Sequence, residues 1–263
     1  AAVSAARRMP PTKQTKTNPN SANPYIISNP NISNPPECAG LMVQDGPALA
    51  VLQLAVLLRG YALVPLSPSD PRLAFLCRDC DFAFVVAADA GGAARLRAAC
   101  EKDVLVGLAP DLMAEDQGYN YEKRTLVPRV AEEAADTPVA DTPHTRWCGI
   151  RPPPEAPTPA PAPASASHVF FTSGSTGRPK GCVATHAALL AFCLAKNKAH
   201  AIGASSVVFV ASPHTFDPSF GDFMATWVAG GTVACASRGD TFAALGRCLA
   251  VSQATHCTTT PAL

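Results

Sequence analysis

Between Thr172 and Lys180 the chain places four hydroxyls, two glycines and a lysine within nine residues. The chemistry open to such a loop is anion binding. Gly174 and Gly177 permit positive φ, so successive backbone N–H groups can turn toward one point. Thr172, Ser173, Ser175 and Thr176 add hydroxyls, and Lys180 adds a point charge suited to phosphate. The spacing is not that of a Walker A loop, because counting from Gly174 the second required glycine falls on Pro179. Neither G-x-G-x-x-G nor G-x-S-x-G occurs. On composition the loop suits a phosphate cradle and a flexible surface turn equally.

Other reactive side chains have plainer readings. Asp217 precedes Pro218, the pattern of an N-cap followed by proline at the first helical position. His214 reads as a loop or helix-end histidine. Cys77 and Cys80 form a C-x-x-C, but zinc would need a second pair or histidines at matching spacing, and a thioredoxin-like pair would sit at a strand end before a helix. Here the pair falls late in a helix. Cys193, Cys235 and Cys248 lie in apolar runs, where a free thiol behaves as a small hydrophobe. The cysteines are read as structural, no metal site is expected, and the compartment is read as reducing and cytoplasmic.

The elements that must position this chemistry are legible in outline. Before the loop, Pro47 to Gly60 reads as a helix, Tyr61 to Leu66 as a strand, Pro71 to Cys80 as a helix and Phe82 to Ala87 as a strand. Ala93 to Cys100 reads as helical and Val104 to Leu108 as a strand. His168 to Thr172 is the strand that enters the loop. After it come a helix from Thr185 to Lys198 with Leu189, Phe192 and Cys193 as its buried side, a strand at Val207 to Ala211, a helix at Asp217 to Val228 and a strand at Thr232 to Ala236. A helix capped by Asp240, with Phe242, Leu245, Leu249 and Ser252 on its apolar face, leads to a last strand at Ala254 to Thr259. Strands separated by helices predict an α/β fold with mostly parallel sheets flanked by helices.

Composition sets the outer limits. The 263 residues carry a formal charge of +1 and 16% charged residues, against about 25% in an average domain. That balance leaves no electrostatic footprint for nucleic acid or an acidic membrane surface, and no apolar stretch approaches the ~20 residues a bilayer requires. Of 26 prolines, seven lie in residues 1–40 and seven in residues 151–167. The first segment, rich in Asn-Pro steps, reads as disordered, and the second as an extended Pro/Ala spacer. The domain reading is therefore 1–40 disordered, 41–150 the first part of a large domain with an irregular insertion, 151–167 spacer, and 168–263 the loop-bearing part.

Thr172 to Gly181 (TSGSTGRPKG) resembles the signature of the adenylate-forming superfamily, which holds acyl- and aryl-CoA ligases, luciferases and the adenylation domains of nonribosomal peptide synthetases. Leu52 to Pro71, Ser212 to Ser219 (SPHTFDPS), Trp227 to Thr232 and Ala254 to Pro261 resemble further blocks in the family's order, and His186 fits the histidine that follows the signature. The resemblance implies that Thr172, Ser173, Gly174, Ser175, Thr176, Gly177 and Lys180 bind the β- and γ-phosphates of ATP, with Mg²⁺. It also implies that the Phe216-Asp217 pair sets Asp217 against a substrate ammonium, with Pro218, Gly221 and Thr258 lining the pocket. A carboxylate facing a cation gains a charge-assisted hydrogen bond, whereas against an acyl tail it is a costly buried charge. Within the family, Ser212 to Ser219 is most similar to the β-alanine-activating enzymes. The implied reaction is activation of an amino acid as its acyl-adenylate, then transfer to a phosphopantetheine thiol or CoA, with a carrier protein as partner. Blocks expected past Leu263 in the family are absent, so the chain reads as part of the large N-terminal domain. A CoA ligase, with Asp217 only a cap, and an inactive remnant stay open as alternatives.

Overall fold

The structure is a computed structural model that describes residues 26–27, 36–80, 82–100, 104–109, 161–162, 164–172 and 179–260. The insertion at 110–150, most of the Pro/Ala spacer, most of the first segment, and Ser173 to Arg178 of the glycine- and hydroxyl-rich loop lie outside the described residues.

Among the described residues, ten strands form two sheets. β1 (Ile26–Ile27), β2 (Cys38–Met42), β3 (Ala62–Pro65), β4 (Phe82–Ala87), β5 (Leu105–Leu108), β6 (Ala166–Thr172) and β7 (Lys180–Thr185) make a seven-stranded sheet in the order β1-β7-β6-β3-β2-β4-β5. All its pairs are parallel except β6 with β7. β8 (Val207–Val210), β9 (Thr232–Ala234) and β10 (His256–Thr258) form a parallel sheet in the order β10-β8-β9. The helices are α1 (Pro47–Leu58), α2 (Leu73–Asp79), α3 (Ala90–Ala99), α4 (His186–His200), α5 (Asp217–Val228) and α6 (Arg238–Ser252).

The period-2 alternation of the strands decides the layering. Leu41, Leu63, Phe84 and Val86 face one way and share an apolar cluster with α1, with Phe220, Phe223 and Trp227 of α5, and with Val210 and Val233 of the small sheet. Met42, Val64, Val85 and Ala87 face the other way, against Leu73, Leu76 and Cys77 of α2 and Ala93 and Leu96 of α3. α6 covers the outer side of the small sheet through Leu245, Cys248 and Leu249. The result is five layers, α2/α3, large sheet, α1/α5, small sheet, α6. Strands covered on both faces need no polar side, which is why they read as unbroken apolar runs. Each fully buried leucine here, such as Leu41, Leu49, Leu52 and Leu63, contributes about 1.5–3 kcal/mol. Gly40 is required in the central strand, because a Cβ there would meet Leu66 Cδ1 at 2.8 Å and Val85 Cγ1 at 3.0 Å.

Several expectations change. Order reaches into the segment read as disordered through residue 40: β2 begins at Cys38, and Ile26–Ile27 pairs with β7. β6 begins at Ala166, inside the stretch read as spacer, because Ala166 and Ser167 are buried against β7. β7 itself was not anticipated. α6 is capped by Ser237 rather than Asp240: the Ser237 Oγ accepts from the Asp240 N–H (3.1 Å) and donates to its carboxylate (2.7 Å). Of the expected buried side of α4 only Cys193 is enclosed, Leu189 is partly covered, and Phe192 is 49% exposed. Phe242, expected on the apolar face of α6, is exposed beneath the Arg238 guanidinium, 4.5 Å from the ring centroid. The cysteines among the described residues are free thiols, and none of the described helices is long and apolar enough to cross a membrane.

Candidate functional site

The glycine- and hydroxyl-rich segment Thr172 to Lys180 joins β6 to β7. Thr172 and Lys180 are register partners, and the exposed Thr172 hydroxyl donates to the Lys180 carbonyl at 3.5 Å. Gly181, next on β7, lies under the Phe171 ring, where a Cβ would come within 3.0 Å of Cζ. That close approach keeps the two strands together up to the mouth of the loop. The hairpin brings a hydroxyl to one end of the loop and a cation to the other, a donor set that fits a phosphate chain. Ser173, Gly174, Ser175, Thr176 and Gly177 lie outside the described residues.

Asp217 and Pro218 are the first two residues of α5, with Phe216 as the N-cap and no side-chain cap bond from it. Asp217 is therefore one position further into the helix than an N-cap. It is exposed, and among the described residues its carboxylate has no hydrogen-bond or ion-pair partner. The free N–H groups and positive dipole end of the first turn favour a negative charge there. The residues before it are tethered. The His214 backbone N–H donates to Asp45 Oδ1 (3.2 Å), His214 Nδ1 lies 3.5 Å from the same oxygen, and Nε2 meets the Leu66 carbonyl at 2.9 Å. Arg238 adds a bond to the Ala211 carbonyl and stands 4.0 Å from Asp45 Oδ2. Asp45 and Leu66 follow β2 and β3, and Ala211 and His214 follow β8. This clasp thus joins the carboxyl ends of both sheets, the edge where α/β folds bind ligands. Thr258, the last residue of β10 and the partner of Val210, is exposed at the same edge.

Behind Asp217, α5 packs on β6 and α4. The Phe220 ring meets His168 edge-on at 4.9 Å and Phe170 at 6.0 Å. The Ser167 hydroxyl donates to the Ala184 carbonyl (3.2 Å) and meets His168 Nδ1 at 2.9 Å. Burial, with His186 nearby, holds the His168 imidazole down at about 4, and burial also lowers the His186 pKa. His186, the first residue of α4, keeps Nε2 buried without a partner among the described residues. Gly221 sits one turn beyond Asp217, and the Phe192 ring of α4 fills the space a side chain would take, with Cε1 2.8 Å from an ideal Cβ. Next to it the fully buried Asp222 pairs with Lys196 of α4. Burial raises the Asp222 pKa, and the Lys196 ammonium pulls it back.

Thr172 and Thr258 therefore fall at strand carboxyl ends, Lys180 opposite Thr172 at the amino end of the antiparallel β7, and Asp217 and Pro218 at the start of α5, whereas Gly221 faces the α4 contact. Sequence reading missed Asp45, His168, Lys196 and Asp222. Asp222 had a signal, being the sole charge in the apolar run from Pro218 to Val228, but its partner 26 residues away had none. Among the described residues no group of three or more His, Cys, Asp or Glu could hold a metal ion.

The profile of the family described as AMP-binding enzyme matches residues 33–263. The nonribosomal peptide synthetase ivoA of Emericella nidulans is 40% identical over 77 residues, 29% of this chain and 4% of its own length. CymA of Salinispora arenicola, described as a probable non-canonical nonribosomal peptide synthetase, is 31% identical over 213 residues, 80% of this chain and 2% of its own. This chain thus spans a small fraction of these relatives. Among solved structures, VinN in complex with 3-methylaspartate has the same fold, with a TM-score of 0.61 at 19% identity over 86% of this chain and 53% of that one.

Proposed function

Since the chain belongs to the AMP-binding enzyme family, we propose that its site serves ATP-dependent activation of an amino acid, or another amine-bearing acid, as the acyl-adenylate. The observation that carries this reading is the Asp217 carboxylate, exposed and, among the described residues, unpartnered at the first turn of α5, at the edge where the proposed phosphate loop begins. In the proposal, Thr172, Ser173, Gly174, Ser175, Thr176, Gly177 and Lys180 hold the ATP β- and γ-phosphates through backbone N–H groups, hydroxyls and the ammonium. Asp217 accepts from the substrate ammonium, orienting the substrate so that its own carboxylate attacks the α-phosphorus and pyrophosphate leaves. Mg²⁺, entering with ATP, supplies charge neutralisation on the pyrophosphate. Pro218 and Thr258 border the side-chain pocket, and Gly221 widens it when the half-exposed Phe192 ring turns outward. The relatives' identity as peptide synthetases and the aspartate analogue bound by VinN support an amino-acid substrate. They also support a phosphopantetheine thiol on a carrier protein as the acceptor.

Pyrophosphate exchange tests this, run with amino acids and with the matching acids that lack the amine. The proposal expects exchange with the amino acids alone, and its loss in Asp217→Ala. Exchange driven equally well by des-amino or fatty acids, and unaffected by Asp217→Ala, would assign the site to a CoA ligase. A folded chain that binds no nucleotide would be the inactive remnant.

A further inference from the structure

Asp45 lies just ahead of α1, where a carboxylate can serve the free N–H groups of a first helical turn. α1 nevertheless starts on Gly46 and Pro47 with no side-chain cap bond, and the Asp45 carboxylate is turned to a residue 169 positions along the chain. Its Oδ1 accepts the His214 backbone N–H at 3.2 Å and lies 3.5 Å from His214 Nδ1. The other ring nitrogen, Nε2, donates to the Leu66 carbonyl at 2.9 Å, since a carbonyl can only accept. The His214 and Asp45 side chains are 12% and 9% exposed, which shields the contact from the solvent that weakens surface pairs. What the clasp holds is a turn. The Phe216 N–H donates to the Pro213 carbonyl at 2.9 Å and the Ser219 N–H to the Phe216 carbonyl at 3.0 Å, so residues 213–216 close on themselves and run straight into α5. α5 has no side-chain cap bond at Phe216, and both Phe216 and Asp217 are exposed. The direction of its first turn is therefore set by the tethered residue before it rather than by a cap of its own.

Resting on the reading of Asp217 as the acceptor for the substrate amine, we propose that Asp45 and His214 are positioning residues for that carboxylate. They act through Asp217 rather than on the substrate. The two parts of the site belong to different sheets: Thr172 and Lys180 border the loop of the large sheet, and Asp217 follows β8 of the small one. The clasp ties the second to the first, because His214 is gripped from the end of β2 by Asp45 and from the end of β3 by Leu66. Arg238, the first residue of α6, braces it by donating to the Ala211 carbonyl and standing 4.0 Å from Asp45 Oδ2. Held on both sides, the 213–216 turn sets the height and direction of Asp217 relative to Thr172 and Lys180. A charge-assisted hydrogen bond to an ammonium depends on distance and angle, and a misplacement of about 1 Å can cost up to ~100-fold.

The test is calorimetric titration of the 263-residue chain and of its Asp45→Ala and His214→Phe variants with three probes: alanyl-sulfamoyl adenosine, its propionyl counterpart lacking the amine, and ATP with Mg²⁺. The unaltered chain's preference for the alanyl compound should fall by about tenfold in each variant, while ATP binding is unchanged. The double variant should lose no more than either single one, because both changes release the same turn. Asp45→Asn, which keeps an oxygen to accept the His214 N–H, should retain most of the preference. His214→Phe keeps the bulk of the ring, so a loss of folding in Asp45→Ala, read from its unfolding midpoint, leaves the second variant to decide. Folded variants that keep the full preference, or that weaken both adenosine compounds by the same factor, would overturn the proposal and leave the Asp217 reading in place. An unaltered chain that binds the two compounds equally would remove that reading, and the proposal with it.

Discussion

Replacing Lys196 by Met strands a carboxylate in the core. Asp222 is fully buried, Lys196 is its ion-pair partner, and Asp222 Oδ2 already has no hydrogen bond among the described residues. Two unit charges about 4 Å apart at an effective dielectric constant of ~20 attract by roughly 4 kcal/mol, and removing one member of a buried pair costs about 3–5 kcal/mol. Lys196→Met should therefore lose about 3–5 kcal/mol in denaturant unfolding at pH 8. The loss should also depend on pH. Burial raises the Asp222 pKa and Lys196 is the main force lowering it, so the variant's folded state holds the Asp222 proton to higher pH than the unfolded chain does. With the folded pKa above the unfolded one, stability falls as pH rises through that window, and the deficit shrinks again in acid. The double variant Lys196→Met, Asp222→Leu should recover most of it, because a well-packed apolar pair in place of a buried ion pair is near neutral. A Lys196→Met loss below about 1 kcal/mol, the same at pH 4 and pH 8, would refute the argument.

Other expectations follow from single contacts. With His168 held at about 4 in the fold and near 6.5 unfolded, the unfolded chain binds more protons between those values. Stability should then fall as pH drops from 6.5 toward 4, by up to about 3 kcal/mol, and His168→Phe should remove that part of the acid sensitivity in urea titrations at pH 7 and 5. Gly40→Ala should cost about 1–3 kcal/mol by overpacking against Leu66 and Val85, read as a lower unfolding midpoint. Thr185→Ala removes the α4 cap, in which Oγ1 accepts the Ala188 N–H at 3.1 Å, and should cost about 1 kcal/mol in the same measurement.

The alternation of strands and helices was legible because strands buried on both faces leave long apolar runs and the helices between them leave Pro, Gly and polar breaks. β7 was not, since Lys180 to Thr185 mixes a glycine, a lysine and a threonine, and it becomes a strand only by pairing with β6 across the loop. β2 was half hidden for the same reason: Cys-Ala-Gly has little strand preference of its own and is extended because β3 and β4 flank it. On α4 the periodicity showed an apolar helix but not which stripe is covered, and Leu190, Phe192 and Leu194 are about half exposed. In the site, the loop and Asp217 were visible as motif residues. The Asp45–His214 clasp, spanning 169 residues, and the Lys196–Asp222 pair depend on which elements meet in space, and sequence spacing carries none of that.

The central claim is that one edge of this fold holds both ATP phosphates and a substrate amine. Its most direct test is calorimetric titration of the 263-residue chain with a non-hydrolysable aminoacyl-adenylate analogue and with ATP and Mg²⁺, beside the Lys180→Ala, Gly177→Val and Asp217→Asn variants. The account predicts saturable ATP binding lost in the first two variants. It also predicts analogue binding about 10–150-fold tighter than that of the des-amino analogue, the worth of one charge-assisted hydrogen bond, with Asp217→Asn erasing that difference. Equal affinity for the two analogues, or ATP binding unchanged by Lys180→Ala and Gly177→Val in a folded chain, would contradict it.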